Sequence, residues 1–167
     1  MDLIILDRLD FSYKDHAYIS GEFEIIHDIV ITQTSYFKIN KNSINGSIGD
    51  YVYVKHDNSY FGIIENIEDE ITHLIIKTVD FKEIFKTEVL VKNFNGNVAT
   101  FIERVIRETY LQNSDKNQNI NYLSISVETS RQGAFVFEED KVMTIYELLD
   151  LSNKMYGVYV KHEVVFV

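Results

Sequence analysis

Three closely spaced hydrophobic segments decide the fold of this chain: Y51-V-Y-V-K55, Y60-F-G-I-I-E-N-I67 and L74-I-I-K-T-V79. Each segment is rich in β-branched and aromatic residues and is bounded by polar residues, which is typical of β-strands. The connections between the segments are short, so we predict an antiparallel meander. Gly62 lies inside the second segment, where we expect a bulge or a sharp bend.

Three more strand candidates precede this meander, at residues 3–6, 23–31 and 36–39. A sheet of six such strands has to curl in order to hide its edges, so we predict a small antiparallel β-barrel. In this barrel, residues 51–55 and 60–67 should contribute to the core, and the acidic loop 65–70 should face outward. We expect a tight turn at Asn45-Gly46.

The second half of the chain combines two amphipathic helices with further strand candidates. The spacing of apolar residues in V98-A-T-F-I-E-R-V-I-R-E-T-Y110 predicts the first helix. A capping box from Thr144 to Glu147 predicts the start of the second helix, which should end before Gly157. Strand candidates lie at residues 122–127, 134–137, 158–160 and 164–167. We therefore predict an α+β fold, in which a β-barrel domain (residues 1–92) is followed by an α/β domain (residues 93–167).

The composition predicts an ordered protein without disulfides. The chain has 167 residues, of which 46% are hydrophobic, and this is enough to bury a core. It has no Cys, which excludes thiolate nucleophiles and thiolate metal sites. Residues 1–9 carry no basic leader, so we expect a first strand there and no signal peptide, and no run approaches the roughly 18 apolar residues of a membrane span. The formal charge of −10 disfavours nucleic acid as a partner.

The sequence offers no motif for catalysis or metal binding. The seven Gly are scattered and form no phosphate-binding loop. The five His lack the spacing of a helical metal site, so we favour structural roles for them: His16, His27, His56, His73 and His162. Acidic groups at residues 65–70 and 138–140 could supply paired carboxylates for glycoside hydrolysis, but such groups are usually solvated. We assign no catalytic, cofactor-binding or metal-binding residue, and we expect neither enzyme activity nor a cofactor.

Two other patterns have structural explanations. Asn45-Gly46-Ser47 matches the glycosylation sequon, although a tight turn explains it better in a chain without a signal peptide. The aromatic residues Tyr51, Tyr53, Tyr60 and Phe61 could form a stacking platform for sugars or bases. Alternation along a strand should place half of them in the core, however, and the acidic charge disfavours bases.

The order of these features resembles a known family. The segments I48-G-D-Y-V-Y-V-K55, Y60-F-G-I-I-E-N-I67 and H73-L-I-I-K-T-V-D80 are similar to the first barrel of the tail-hub or baseplate-hub proteins of long-tailed phages and prophages. The first predicted helix and the segment E147-L-L-D-L-S-N-K-M-Y-G-V-Y-V160 resemble the α/β domain inserted in the same proteins, where a helix leads through Gly into a strand.

This resemblance implies a structural component of a phage or prophage tail tip or baseplate hub. Such a protein is made in the bacterial cytoplasm and built into the virion tail, where its partners are other tail proteins and further copies of itself, typically in a trimer. No functional residue of the family matches by motif, so none is transferred. Hub proteins are usually much longer, and we expect this chain to be either a fragment of a longer protein or a short relative.

Two other classes of function stay open. A small acidic monomeric binding module or inhibitor would dock one contiguous acidic face on a basic partner protein and form a salt-sensitive complex. A carbohydrate-active enzyme would need two carboxylates about 5 to 10 Å apart in a cleft.

Overall fold

The computed structural model describes residues 1–26, 33–41, 44–55, 59–120, 123–161 and 164. The chain divides into two compact units, Met1–Glu83 and Ile84–Val167. Antiparallel strands predominate in the described residues and helices are few, so the α+β class predicted from the sequence is confirmed.

Six strands of the first unit form one antiparallel sheet: β1 (Asp2–Leu6), β2 (Tyr13–Glu24), β3 (Thr34–Asn40), β4 (Tyr51–Val54), β5 (Tyr60–Asp69) and β6 (His73–Asp80). The strand order is β1-β2-β3-β6-β5-β4. Since β4 also pairs with β1, with Leu3 opposite Val54, the sheet closes on itself as a barrel. The 3-10 helix Phe81–Lys86 follows β6.

The core of the first unit consists of the side chains that alternate into the closed sheet. Its fully buried members include Leu3, Ile5, Phe37, Ile39 and Ile76. The strands β4 and β5 add Val52, Val54, Tyr60 and Ile64 to the same cluster, which confirms the predicted contribution of these two segments. Alternation with period two, the property on which the prediction depended, is what directs these side chains inward.

The register of β5 is regular at Gly62, so the bulge predicted at this residue is wrong. Gly62 pairs in regular register with Val52 and with Asp80, and the register shift of β5 lies further along, between Ile64 and Asn66. A Cβ atom on Gly62 would lie 2.7 Å from the ring carbons Cε1 and Cζ of Tyr60. The absence of a side chain at Gly62 therefore makes room for a buried ring.

The second unit contains two antiparallel strand pairs and two α-helices. Its elements are β7 (Glu88–Val91), β8 (Phe94–Asn97), α1 (Val98–Tyr110), the 3-10 helix Lys116–Gln118, β9 (Gln132–Phe135), β10 (Lys141–Thr144) and α2 (Ile145–Tyr156). The strand β7 pairs with β10, and β8 pairs with β9. Both pairs are antiparallel, and the unit also contains the two predicted helices.

Both helices begin and end where the sequence predicts. The Asn97 side chain caps α1 by accepting hydrogen bonds from the N–H groups of Ala99 and Thr100. In α2, Thr144 and Glu147 form the predicted capping box, and Gly157 ends the helix in the left-handed conformation with φ 67°.

The division between the units falls after Glu83, whereas the sequence predicts a boundary between residues 92 and 93. The physical reason is the pairing of β7 with β10, which carries residues 88–91 into the second unit, where Val91 is buried. The strand predicted at 134–137 is β9, displaced toward the amino terminus.

Other strand predictions fail or lie outside the described residues. Residues 123–127 and 158–160 form no strand, although Leu123, Ile125 and Val158 belong to the core of the second unit or pack against it. Of the candidate 23–31, residues 23 and 24 end β2 and residues 27–31 lie outside the described part, as do residues 122 and 165–167.

Candidate interaction surfaces

Three of the four acidic residues between positions 65 and 70 are paired with lysines. Residues up to Asp69 belong to β5, so the predicted acidic loop is largely a strand, although Glu65, Asp69 and Glu70 are exposed as expected. Three ion pairs involve this segment: Lys77–Glu68 at 2.6 Å, Lys41–Asp69 at 2.5 Å and Lys38–Glu70 at 3.6 Å. Exposed pairs of this kind contribute little to stability. Paired in this way, these carboxylates are ordinary surface groups.

The remaining candidates for chemistry are dispersed. Glu138, Glu139 and Asp140 lie between β9 and β10 beside an open depression. His16 shares a 2.6 Å hydrogen bond with the Tyr13 hydroxyl, and His73 shares one of 2.6 Å with Thr72, while His27, His56 and His162 lie outside the described residues. Where the chain is described, no three His, Asp or Glu side chains form a group that could hold a metal ion.

The four aromatic residues considered as a stacking platform are buried. Tyr51 and Tyr53 are each 8% exposed, Phe61 is 5% exposed and Tyr60 is fully buried. Tyr60 shares a 2.7 Å hydrogen bond with Thr78, and burial raises the pKa of Tyr60 to about 12. On the other side of the sheet, the Tyr51 ring packs against both Phe11 and Phe61, at centroid distances of 4.4 and 5.3 Å, and these two rings also contact each other at 6.2 Å. These rings are packed against each other and present no open face for a ligand.

Asp50 ties two loops together at one end of the closed sheet. Its side chain is 1% exposed and accepts hydrogen bonds from Lys14 Nζ at 2.9 Å, from Ser47 N at 2.8 Å and from Arg8 N at 3.3 Å. Lys14 also lies 3.4 Å from Asp7. The hydrogen bond to Asp50 raises the pKa of Lys14, against the opposing effect of burial. A buried carboxylate needs such partners, so this network fixes the positions of both loops.

The loops that Asp50 holds expose large aliphatic side chains. Leu9 follows Arg8 and is 72% exposed, and Ile48 follows Ser47 and is 60% exposed. Because Arg8 and Ser47 bind the same carboxylate, Leu9 and Ile48 lie at the same end of the sheet. Ordered exposure of two aliphatic side chains is a feature of surfaces that bind other proteins.

The predicted turn at Asn45-Gly46 is wrong, because the turn lies at Ile48-Gly49. Gly49 has φ 93°, a conformation that favours glycine, whereas Gly46 is not among the glycines with positive φ. The Asn45 N–H instead donates to Asp15 Oδ2 at 2.7 Å, and this bond lowers the pKa of Asp15. The loop is thus held by its own turn and by two carboxylates, Asp15 from β2 and Asp50 directly before β4.

In the second unit, β7 and β10 form a ribbon with one buried and one exposed face. Val91 and Met143 point into the core. On the other face, Leu90 lies directly opposite Val142, and these side chains are 57% and 60% exposed. Within the residues described, β7 pairs with no strand except β10. The edge of β7 that faces away from β10 therefore has no neighbouring strand among the described residues.

Charged residues flank this exposed aliphatic pair. Glu88 precedes it on β7, and Lys92 follows it and lies 3.9 Å from Asp140. Sequence analysis missed the ribbon because each strand has only four residues. The alternation in E88-V-L-V91 and K141-V-M-T144 is visible in the sequence, yet it is too short to predict a pair separated by some fifty residues.

No family model and no curated protein matches the sequence. Among the described residues, no helix is both long and apolar enough to cross a membrane. The resemblance to hub proteins thus stays a prediction from the sequence pattern.

Proposed function

We propose that this protein is a structural component that works by binding other proteins, and that its place is the tail tip or baseplate hub of a phage or prophage. The observation that carries the proposal is the end of the closed sheet at which Asp50 holds Leu9 and Ile48 in exposed positions. An exposed aliphatic side chain on a mobile loop has little meaning, but here a buried carboxylate fixes both loops.

The arrangement of polar groups also favours assembly over carbohydrate chemistry. Glycoside hydrolysis needs one carboxyl that stays protonated near neutral pH and a second one facing it across a cleft. Glu68, Asp69 and Glu70, at the end of β5 and directly after it, are instead paired with Lys77, Lys41 and Lys38. The hub proteins that the sequence resembles typically form trimers, and we propose the same state for this chain, with other tail proteins as neighbours.

Static light scattering on the purified chain tests this proposal. We expect a mass that is a multiple of 19.5 kDa and rises with concentration to at least three chains. The double variant with Leu9→Glu and Ile48→Glu should have a lower mass, because two charges at this end of the sheet would have to be desolvated when two chains come into contact.

Tyr18 provides the matched control. It is 67% exposed and lies on β2 opposite Asp2, at the other end of β1 from Leu6, so Tyr18→Glu adds a surface charge away from the loops held by Asp50 and should leave the mass unchanged. A chain that stays monomeric at every concentration would contradict self-assembly. If such a monomer bound a basic protein in a salt-sensitive complex, the acidic binding module would replace the present proposal.

A further inference from the structure

The outer edge of β7 carries backbone groups that β10 does not use. In an antiparallel pair, alternate residues direct both their N–H and C=O to the same neighbour. The Ile145 N–H donates to the Thr87 carbonyl at 3.0 Å, so Thr87 and every second residue after it face β10. Glu88 and Leu90 therefore direct their backbone groups to the opposite edge, where the described residues supply no strand, and Lys92 directly follows this edge.

The side chains along this edge are complementary to those of a second, reversed copy. When two β7 strands pair antiparallel with Leu90 opposite Leu90 of the other copy, Glu88 of each lies opposite Lys92 of the other. On the buried face, Val89 then lies opposite Val91. A parallel pairing in register would instead oppose Glu88 to Glu88 and Lys92 to Lys92. Opposite charges directly across two strands stabilise the pair, whereas like charges destabilise it.

We infer that β7 pairs with β7 of a second copy of this chain about a two-fold axis at Leu90, and that this contact joins two ribbons into one four-stranded antiparallel sheet. The inference rests on the proposed function and deepens it by naming a partner and the surface that binds it. The contact involves about five residues from each copy and is small compared with the ~1,200 Å² of a stable interface, so it forms at high protein concentration.

Disulfide trapping tests the contact, because the chain has no Cys of its own. In the proposed sheet, Leu90→Cys lies opposite its own copy at a Cα separation of about 5.5 Å, within the range of a disulfide. Val142→Cys is the matched control, since its exposure is nearly the same, at 60% against 57%. Its copy lies three strand spacings away, about 14 Å, which is too far for a disulfide.

The same chemistry tests the register. Protein with Glu88→Cys, mixed with protein that has Lys92→Cys, should form a mixed disulfide. Glu88→Cys alone should form far less, because residue 88 and its copy are four residues apart along the strands, about 13 Å. All four positions are exposed, and far-ultraviolet circular dichroism of the reduced variants verifies that each one is folded.

We expect the dimer of Leu90→Cys to form at least about tenfold faster than that of Val142→Cys. Equal rates, or no preference for the mixed pair, would overturn the inference. In light scattering, a two-fold contact gives a mass of two chains, or of six chains where two trimers face each other. A mass of one or three chains at every concentration would overturn the inference. If the preference at Leu90 is absent while the Leu9 and Ile48 variant still lowers the mass, this inference fails and the proposed assembly stands.

Discussion

Replacing Asp50 with Asn should destabilise the first unit by about 2 to 3 kcal/mol, and the structure sets this magnitude. The Asp50 oxygens accept hydrogen bonds from Lys14 Nζ at 2.9 and 3.1 Å and from Ser47 N at 2.8 Å. Asn has nearly the same shape, but it turns one acceptor into an N–H donor that faces another donor. Losing a hydrogen bond to a charged group costs about 1.5 to 3 kcal/mol, and a stranded buried charge costs about 3 to 5. The Lys14 side chain is 23% exposed and retains Asp7, 3.4 Å away, as a partner for its charge. The range for a lost hydrogen bond therefore applies, and not the range for a stranded charge.

Urea unfolding, followed by tyrosine fluorescence and circular dichroism, measures this change, since the chain has no Trp. Asp10→Asn is the control, because Asp10 lies in the same loop, is exposed and accepts a hydrogen bond from Ser12 N at 2.9 Å. We expect this control to have a much smaller effect. A cost below about 1 kcal/mol for Asp50→Asn, or one equal to that of the control, would refute the role of Asp50 as the tie between the two loops.

Two further predictions concern packing and pH. Gly62→Ala should lower the free energy of unfolding, measured in urea, by about 1 to 3 kcal/mol, because the new methyl overlaps the buried ring of Tyr60. Gly21→Ala should lower it less, since the nearest neighbour of Gly21 is the flexible side chain of Lys38 at 3.2 Å. Equal losses of stability in the two variants would contradict the packing argument. Hydrogen bonds from Thr144 lower the pKa of Glu147, so its capping contribution is present above the ordinary value of 4.5 and is lost as the pH falls through the lowered value. The difference in melting temperature between the wild type and Glu147→Gln should therefore shrink on acidification. A difference that stays constant with pH would contradict the capping role of the Glu147 carboxylate.

The features that the sequence predicts well are those encoded by neighbouring residues. The helix α2 could be placed to the residue because Thr144, Glu147 and Gly157 each provide a local end signal. The strand β2 was largely missed, because most of its side chains are exposed and leave no apolar alternation. Specific long-range side-chain contacts could not be predicted. Asp50 and Lys14 are 36 positions apart, and no local pattern indicates that they meet.

The two units differ in how they use strand edges, and this difference indicates where a partner strand can bind. In the first unit, every strand of the closed sheet already pairs on both sides. The described strands of the second unit form only two pairs, β7 with β10 and β8 with β9, so outer edges remain there. Short length and charged side chains normally protect such edges from aggregation, and Glu88 and Lys92 meet that description. Their placement on opposite sides of Leu90 has a second effect, because it repels a parallel copy and matches a reversed one. The same charges can therefore protect the edge against most strands and still select one partner in one register.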